Sequence, residues 1–520
     1  MKLSDIELSS QQKTIVFDTK GNIVVSASAG TGKTRTMIAK IIHDRLQNKT
    51  HKSIAAITFT IRAAQEIRDR LTVDPSRCFI GTNNSFAIEE IIKPFMKDVY
   101  GDDCDIDMDT DYSNTLLDFN SGVTGIMNHQ TISSYKDNKK NFVFELALNI
   151  VERSQACRLY LQAKYFAVYI DEYQDCDEDM HNFFMHLSDV LGIITFIVGD
   201  DKQSIYRWRK ANPEFFKSVF QKESFTHMEL TDNHRSNKQI QDYSNLLFEG
   251  TRPLVIDPQN CNNIFWIMAN NNDWASKAIG LIDTTKTSAL LRLSKNNTKT
   301  GKQGASEGAD LLTNNGIEHI YIPPTPIDDI TTNAAWLYTA IACFVLLDTY
   351  SVYDLINDIP AQNIPAKSGG FTVRTKNMLN DIKKNVDDVD SVAFTRSVEL
   401  LAKSLGYATT KLHINKLYET VKDDRYAVAL NSEKPLHCAL TIHSSKGLEF
   451  EQVILCVEDY SYFGNIEEKD INNHYVACTR AKSKLIIIDN GTPDAIAMKQ
   501  VLEKVFLSKN ISFNQLITML

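Results

Sequence analysis

The stretch "NIVVSASAGTGKTRTMIAKIIHDRL", residues 22–46, runs from an apolar segment through a turn of small residues into an amphipathic segment. The opening "NIVVSA" suits a strand buried on both faces. The closing "TRTMIAKIIHDRL" puts apolar side chains at helical spacing. Between them, "ASAGTGKT" (27–34) has no bulky residue, so its backbone N–H groups can face phosphate oxygens where a helix begins. In such a loop Lys33 neutralises β- and γ-phosphate charge and the Thr34 hydroxyl ligates Mg²⁺. Ala27, Ser28, Ala29, Gly30, Thr31 and Gly32 form the backbone cradle, and Arg35 follows into the helix. Ala27 departs from the general pattern, which opens with glycine. The unit reads as strand, phosphate loop and helix.

Outward from this unit, near-continuously apolar runs recur: "SIAAITFT" near 53, "YFAVYID" near 165, "ITFIVGD" near 194, "SALLRL" near 288, "EQVILCVED" near 451 and "KLIIID" near 484. Helical patterns such as "AAQEIRDRL" lie between them. That alternation predicts an α/β architecture with parallel sheets. Residues 94–162 lack clear strand patterns and read as mostly helical. Residues 349–436 also read as helical and polar, interrupted by "PAQNIPAKSGG". Both look like insertions. "NAAWLYTAIACFVLLD" (333–348) is too short to span a bilayer and reads as a buried helix. The acidic "DDCDIDMDTD" (102–111) has Tyr112 where a calcium loop starting at Asp107 needs glycine, so the pattern predicts a solvated loop.

The 520 residues suffice for several domains, and the hydrophobic share of 43% is ordinary for globular chains. A net charge of −9 argues against a surface that binds nucleic acid everywhere, but leaves room for one basic groove. Nine scattered cysteines, with no CxxC pair, suggest free thiols in a reducing cytoplasm. The start, "MKLSDIELSSQQK", has no apolar core of the kind a secretory signal carries. The expectation is a soluble cytoplasmic protein with no membrane association.

"VYIDEYQD" (168–175) supplies the acids a phosphate loop needs. Asp171, at the end of an apolar run, is placed to hold Mg²⁺ through water. Glu172 is placed to orient and deprotonate an attacking water. Positive charge is also needed around the γ-phosphoryl oxygens, and Arg235 in "LTDNHRSNKQI" and Arg480 in "HYVACTRAKSKL" are the candidates. Both lie far along the chain from Lys33, so a nucleotide touching all three sits between two domains.

The order of these segments resembles superfamily 1A DNA helicases of the UvrD/Rep/PcrA type over almost the whole chain. Gln12 in "LSSQQKTIVF" matches their adenine-reading glutamine, and "ASAGTGKT" with Ala27 is the form that family uses. "ITFTIRAAQEIRDRL" (57–71) and "GTNNSFAIEEI" (81–91) look like its DNA-contacting motifs. "VGDDKQSIYRWR", "LTDNHRSN", "TIHSSKGLEF" (441–450) and "HYVACTRA" (474–481) look like motifs III to VI.

The resemblance implies two RecA-like parallel-sheet P-loop NTPase domains, each with a short, mainly helical insertion. The first domain would cover 1–93 and 163–240 with its insertion at 94–162. The second would cover 241–348 and 437–520 with a reduced helical insertion at 349–436. It also implies roles. Gln203 resembles the γ-phosphate sensor, Glu449 the ribose contact and Arg480 the arginine finger. Tyr206 and Trp208 resemble aromatics over which single-stranded bases pass, and Arg209 a link between the nucleotide and DNA sites. Thr58, Arg62, Asn84, His443 and Lys446 are candidate DNA contacts. Taken alone, His443 reads as a packing residue, and Thr58, Arg62 and Lys446 read equally well as helix or loop residues. Two departures stand out: His234 replaces the usual tyrosine over adenine, and "DIN" (470–472) replaces Glu-Arg-Arg.

The short insertions, together with phrases such as "FIGTNNSFAIEEIIKPFMKDVYG" and "NNHYVACTRAKSKLIIIDN", resemble the helicase-like subunits of Gabija anti-phage systems. That resemblance implies a partner, a GajA-like ATPase–Toprim DNA nuclease, in a large hetero-oligomer. Three functions are therefore open: a 3′-to-5′ DNA helicase or translocase, an ATP or dATP hydrolase switched on by single strands or DNA ends, and an inactive scaffold for a nuclease. The intact Lys33, Asp171, Glu172, Gln203, Arg235 and Arg480 disfavour the scaffold. About forty residues follow the last motif, too few for a nuclease domain of this chain's own.

Overall fold

A computed structural model describes residues 6–71, 78–101, 108–137, 140–206, 211–248, 262–270, 273–296, 302–330, 332, 334–359, 370–431, 433–461 and 464–520. Fifteen strands are assigned among them, in chain order: β1 Asn22–Ala27, β2 Ser53–Thr58, β3 Cys78–Thr82, β4 Asp109–Leu116, β5 Thr131–Tyr135, β6 Tyr165–Ile170, β7 Ile194–Gly199, β8 Phe225–Leu230, β9 Ile264–Met268, β10 Ser288–Arg292, β11 Ile320–Tyr321, β12 His437–Thr441, β13 Phe450–Cys456, β14 Ala481–Asp489 and β15 Thr518–Met519. Each apolar run singled out from the sequence forms a strand.

Two larger sheets organise the molecule, and every pairing within them is parallel. The first has the order β3-β2-β6-β7-β1-β8 and the second β11-β12-β10-β13-β14-β9-β15. Because β6, β7, β1 and β8 are neighbours, the turns after all four leave the same carboxyl edge side by side. That edge is where ligands bind in open α/β sheets.

Apolar clusters cover both faces of each sheet, which explains the near absence of polar residues inside the strands. Ala29 and Ile205, from turns of the first sheet, pack in the same cluster as Leu440, Ile442 and Tyr475 from the second. The two halves therefore share apolar contact at the strand ends. Polar bonds add to it: Ser236 Oγ donates to the Ala481 carbonyl and Asn237 Nδ2 to the Ser483 carbonyl, both at 2.6 Å.

The helix Ala335–Leu346 is buried in a separate helical cluster, as its composition predicts, and Leu337, Ile341, Phe394, Leu401 and Leu417 form that core. Residues 371–430 are helical as expected. The expectation that 94–162 lacks strands is corrected: β4 and β5 pair in parallel within it. β4, "DTDYSNTL", is polar over most of its length and carries no apolar alternation, so periodicity gives no sign of it. Part of the acidic run, residues 102–107, lies outside the described residues. Among the described residues no helix is long and apolar enough to cross a membrane. Cys78, Cys157, Cys176, Cys343, Cys438, Cys456 and Cys478 are free thiols.

Candidate nucleotide site between the two sheets

The loop after β1 turns through two left-handed glycines, Gly30 at φ 77° and Gly32 at φ 80°. Neither position has room for a side chain. A Cβ at Gly30 would sit 2.3 Å from Asn233 Oδ1, and one at Gly32 would sit 2.7 Å from Gln12 Nε2. Gly32 caps the helix Lys33–Gln47, so the positive end of that helix faces the loop. Around the loop, Gln12 Nε2 donates to the Thr31 carbonyl at 3.0 Å and Ser28 N to the Leu230 carbonyl at 3.2 Å. The His234 amide donates to the Gly30 carbonyl at 2.9 Å. Gln12 thus braces the loop from beneath. Its neighbour Gln11 makes a paired contact with Thr231, through Nε2 to Oγ1 at 2.7 Å and from the Thr231 amide at 2.9 Å.

Lys33 is half-buried among carboxylates. Burial lowers its pKa although Asp200, Glu172 and Asp171 all pull the other way. Thr34 Oγ1 donates to Asp171 Oδ2 at 3.2 Å. Burial, and then the charge of Glu172, raise the Asp171 carboxyl to about 7. A hydroxyl and a buried, crowded carboxylate converging beside a lysine are the hard oxygen donors that Mg²⁺ takes, so the residues present fit that ion.

Glu172 adopts φ 54°, a left-handed conformation that costs free energy in a residue with a side chain. Its amide donates to Asp171 Oδ1 at 2.8 Å, and Gln174 Nε2 donates to its Oε2. Burial alone would raise its pKa, but Lys446 and Lys33 outweigh that and hold it down to about 2. Motif order places Lys446 at the DNA. In the structure its ammonium lies 3.2 Å from Glu172 Oε2 and 2.5 Å from Asp175 Oδ2. An ammonium facing the buried Asp175 and the half-buried Glu172 carboxylates is held by charge, which accounts for the placement.

The turn after β7 brings in Asp200 and Gln203, both buried. Gln203 Nε2 donates to Asp200 Oδ2 at 2.7 Å, and Gln203 Oε1 accepts from Arg480 Nη2 at 3.2 Å. Arg480 comes from the second half of the chain. Its Nε also donates to the Val476 carbonyl at 3.0 Å and its Nη1 to the Leu448 carbonyl at 3.3 Å. Burial, then Arg235, lower its pKa to about 9. Lys202 Nζ pairs with Asp200 Oδ1 at 2.8 Å. Motif spacing singles out none of Asp200, Gln174, Lys202, Asp175 and Tyr475. All five stand inside quoted motifs, and what sets them apart is burial, partial for Lys202, which no single sequence displays.

Arg235 Nε donates to Glu449 Oε2 at 2.8 Å and its Nη1 to the Thr479 carbonyl at 3.2 Å. The second Glu449 oxygen pairs with Lys482 at 2.6 Å. Burial would raise the Glu449 carboxyl, but Lys482 and Arg235 bring it below its ordinary value. His234 is exposed beside the loop. In the replaced "DIN" segment, Asn472 Nδ2 donates to the Ser204 carbonyl at 3.1 Å, so this position still links the two halves.

On the side assigned to DNA, the Tyr206 and His443 rings lie 5.7 Å apart, and Lys446 Nζ sits 4.9 Å from the Tyr206 centroid. His443 Nε2 is 3.3 Å from the Ile205 carbonyl. Asn84 Nδ2 donates to Tyr112 Oη at 3.4 Å. Thr58 is buried and its hydroxyl donates to the Thr60 carbonyl at 2.9 Å, which occupies it within the protein. Arg62 lies in the helix Ile61–Arg70, and its side chain is outside the described residues. Trp208 and Arg209 also lie outside them.

A phosphate loop, an acid pair and an arginine from a second parallel sheet, all meeting in one cleft, define a helicase-type P-loop NTPase. Comparison with known proteins agrees. Residues 11–209 match the AAA domain family and residues 431–491 the UvrD-like helicase C-terminal domain. The chain is 38% identical over 472 residues to the Gabija protein GajB of Bacillus cereus (strain VD045), covering 90% of this chain and 93% of that protein. It is 26% identical over 306 residues to the ATP-dependent DNA helicase Rep of Buchnera aphidicola subsp. Acyrthosiphon pisum, covering 46% of this chain and 45% of that one. It is also 23% identical over 400 residues to the RecB component of the RecBCD enzyme of Chlamydia pneumoniae, 66% of this chain and 37% of that protein. The chain belongs to the GajB family of UvrD-like helicase proteins.

Proposed function

We propose that this chain hydrolyses ATP, and dATP, in the cleft between its two sheets, that single strands or DNA ends switch the hydrolysis on, and that it acts in the cytoplasm beside a GajA-like ATPase–Toprim nuclease in Gabija defence. The observation that carries the reading is the Arg480–Gln203 bond at 3.2 Å. It joins one sheet to the other next to Lys33 and the acid pair, so closing the cleft assembles the charges that the γ-phosphoryl group needs.

The chemistry then follows from the side chains. Lys33 and the loop amides hold the β- and γ-phosphate oxygens. Thr34 and Asp171 would hold Mg²⁺, which when bound supplies charge neutralisation at those oxygens. Glu172 orients a water in line with the β–γ bridge. As the water oxygen bonds to the γ-phosphorus and the bridging P–O bond breaks, the water proton passes to a Glu172 carboxylate oxygen. Arg480 and Arg235 stabilise the charge spread over the transferring group. For both arginines to do so, Arg235 leaves Glu449, so nucleotide and Glu449 compete for one guanidinium. Tyr206, beside Lys446, places a stackable ring next to the residue that holds Glu172, which gives DNA a route to the acid.

The test is co-purification of the chain with the product of the neighbouring gene, followed by hydrolysis measured with intact circular and with cut DNA. Hydrolysis that rises with cut DNA or single strands supports the reading, and hydrolysis indifferent to DNA rejects it. Strand displacement on a forked duplex by the chain alone would move the assignment to a 3′-to-5′ helicase.

A further inference from the structure

The helix Glu468–Cys478 carries Tyr475, a buried tyrosine whose phenol crosses from the second half of the molecule into the first. Its Oη accepts from the amide of Ala29, in the phosphate loop, at 3.2 Å and donates to Asp200 Oδ2 at 3.4 Å. That same carboxylate oxygen accepts from Gln203 Nε2 at 2.7 Å, and Gln203 Oε1 accepts from Arg480 Nη2 at 3.2 Å. Arg480 follows Tyr475 by five residues. The bonds therefore close a ring: phosphate loop, Tyr475, Asp200, Gln203, Arg480 and back along the helix end to Tyr475.

The direction of each bond is set by chemistry. An ionised carboxylate only accepts, so Asp200 selects the NH₂ end of the Gln203 amide and turns its oxygen toward Arg480. Lys202 pins Asp200 Oδ1 at 2.8 Å, and at Oδ2 the tyrosine hydroxyl shares the carboxylate with Gln203, so Tyr475 and Gln203 together fix its rotation. Burial, followed by the Asp200 charge, pushes the phenol above its ordinary range, so it stays protonated and able to donate. The ring of Tyr475 has a separate packing role, edge-on to Phe248 at 5.2 Å. Removing the hydroxyl alone leaves that packing in place.

The geometry points to Tyr475 as a positioning residue for hydrolysis: its hydroxyl ties the Ala29 amide to Asp200 and thereby sets Gln203 and Arg480 when the two sheets close. The inference rests on the hydrolase reading above. Without the hydroxyl, the Ala29 amide loses its acceptor and Asp200 a donor. Gln203 and Arg480 are then free to drift by the fraction of an ångström that matters to a transition state.

The experiment uses the full chain with ATP, Mg²⁺ and a single-stranded oligonucleotide, comparing wild type, Tyr475→Phe, Gln203→Ala and the double variant. Tyr475→Phe lowers the DNA-stimulated kcat by roughly 10- to 100-fold. Its KM for ATP stays within about twofold, because ground-state contacts to the nucleotide remain. The double variant is no slower than Gln203→Ala alone, since both changes break one ring. A kcat equal to wild type, a change in KM alone, or losses that multiply in the double variant would overturn the proposal. Wild-type chain that hydrolysed nothing would overturn the hydrolase reading and this inference together, whereas an active wild type with an equally active Tyr475→Phe overturns this inference alone.

Discussion

Lys446 Nζ stands 3.2 Å from Glu172 Oε2, so a lysine beyond the last residue of β12 holds the acid that follows β6 of the other sheet. Asp175 shares the same ammonium at 2.5 Å. Removing the ammonium takes the ion-pair partner from the buried Asp175 carboxylate, and breaking a buried pair costs about 3–5 kcal/mol. Lys446→Met should therefore lower the unfolding free energy by about that amount in chemical denaturation. Adding Asp175→Asn should restore part of the loss. A Lys446→Met chain as stable as wild type would show that the cluster contributes nothing.

Gly30 and Gly101 offer an internal comparison. Both have positive φ, but a Cβ at Gly30 would meet Asn233 Oδ1 at 2.3 Å, whereas at Gly101 it meets open space. Gly101→Ala should cost only the conformational term, about 1–3 kcal/mol for this extended positive-φ backbone. Gly30→Ala should also displace the Asn233–Arg235 turn and weaken binding of a fluorescent ATP analogue by roughly tenfold or more, equivalent to about 1.4 kcal/mol. Equal binding by the two variants contradicts the loop geometry.

β1, β2, β6 and β7 of the first sheet are legible in the sequence because they are near-continuously apolar, and Lys33, Asp171, Glu172, Gln203 and Arg480 are legible because their spacing repeats a known order. β8, "FTHMEL", is hidden because this edge strand exposes Thr226, His227 and Glu229. β4 is hidden by its polar composition. Lys446 is hard to place for a different reason: one lysine in a loop can face phosphate or carboxylate, and the choice depends on Asp175 and Glu172, some 270 positions away in the chain. Tyr475 looks like ordinary core, because the amide and the carboxylate it joins come together only in the folded chain.

Tyr206 is the described aromatic on the side assigned to DNA. If bases stack on it, Tyr206→Ala weakens single-strand binding by about 1–3 kcal/mol, or roughly 5- to 150-fold in apparent Kd. Fluorescence anisotropy with a labelled oligonucleotide reads this directly. Unchanged binding would remove Tyr206 from the DNA face.

His474 is fully enclosed, with Tyr243 Oη 2.8 Å from its Nε2, and burial lowers its pKa to about 3 from 6.5. Below pH 6.5 the unfolded chain binds a proton that the folded chain refuses, so stability from this group is complete above that pH and is lost as pH falls. The loss is about 1.4 kcal/mol per pH unit. Asp171 and Asp175, raised by burial to about 7 and about 6, act in the opposite sense over the same range, so wild type alone does not isolate the effect. The stability difference between wild type and His474→Gln should shrink by about 2 kcal/mol from pH 7 to pH 5. A difference independent of pH contradicts the neutral buried imidazole.

In the proposed function Lys33, between the two sheets, serves a hydrolysis that DNA switches on. Steady-state ATP hydrolysis by the full chain and by Lys33→Ala, each with and without cut DNA, tests it most directly. DNA-stimulated turnover is expected in the wild type and none above background in the variant. Normal turnover by Lys33→Ala would contradict the site, and wild-type turnover unmoved by DNA would contradict the switch.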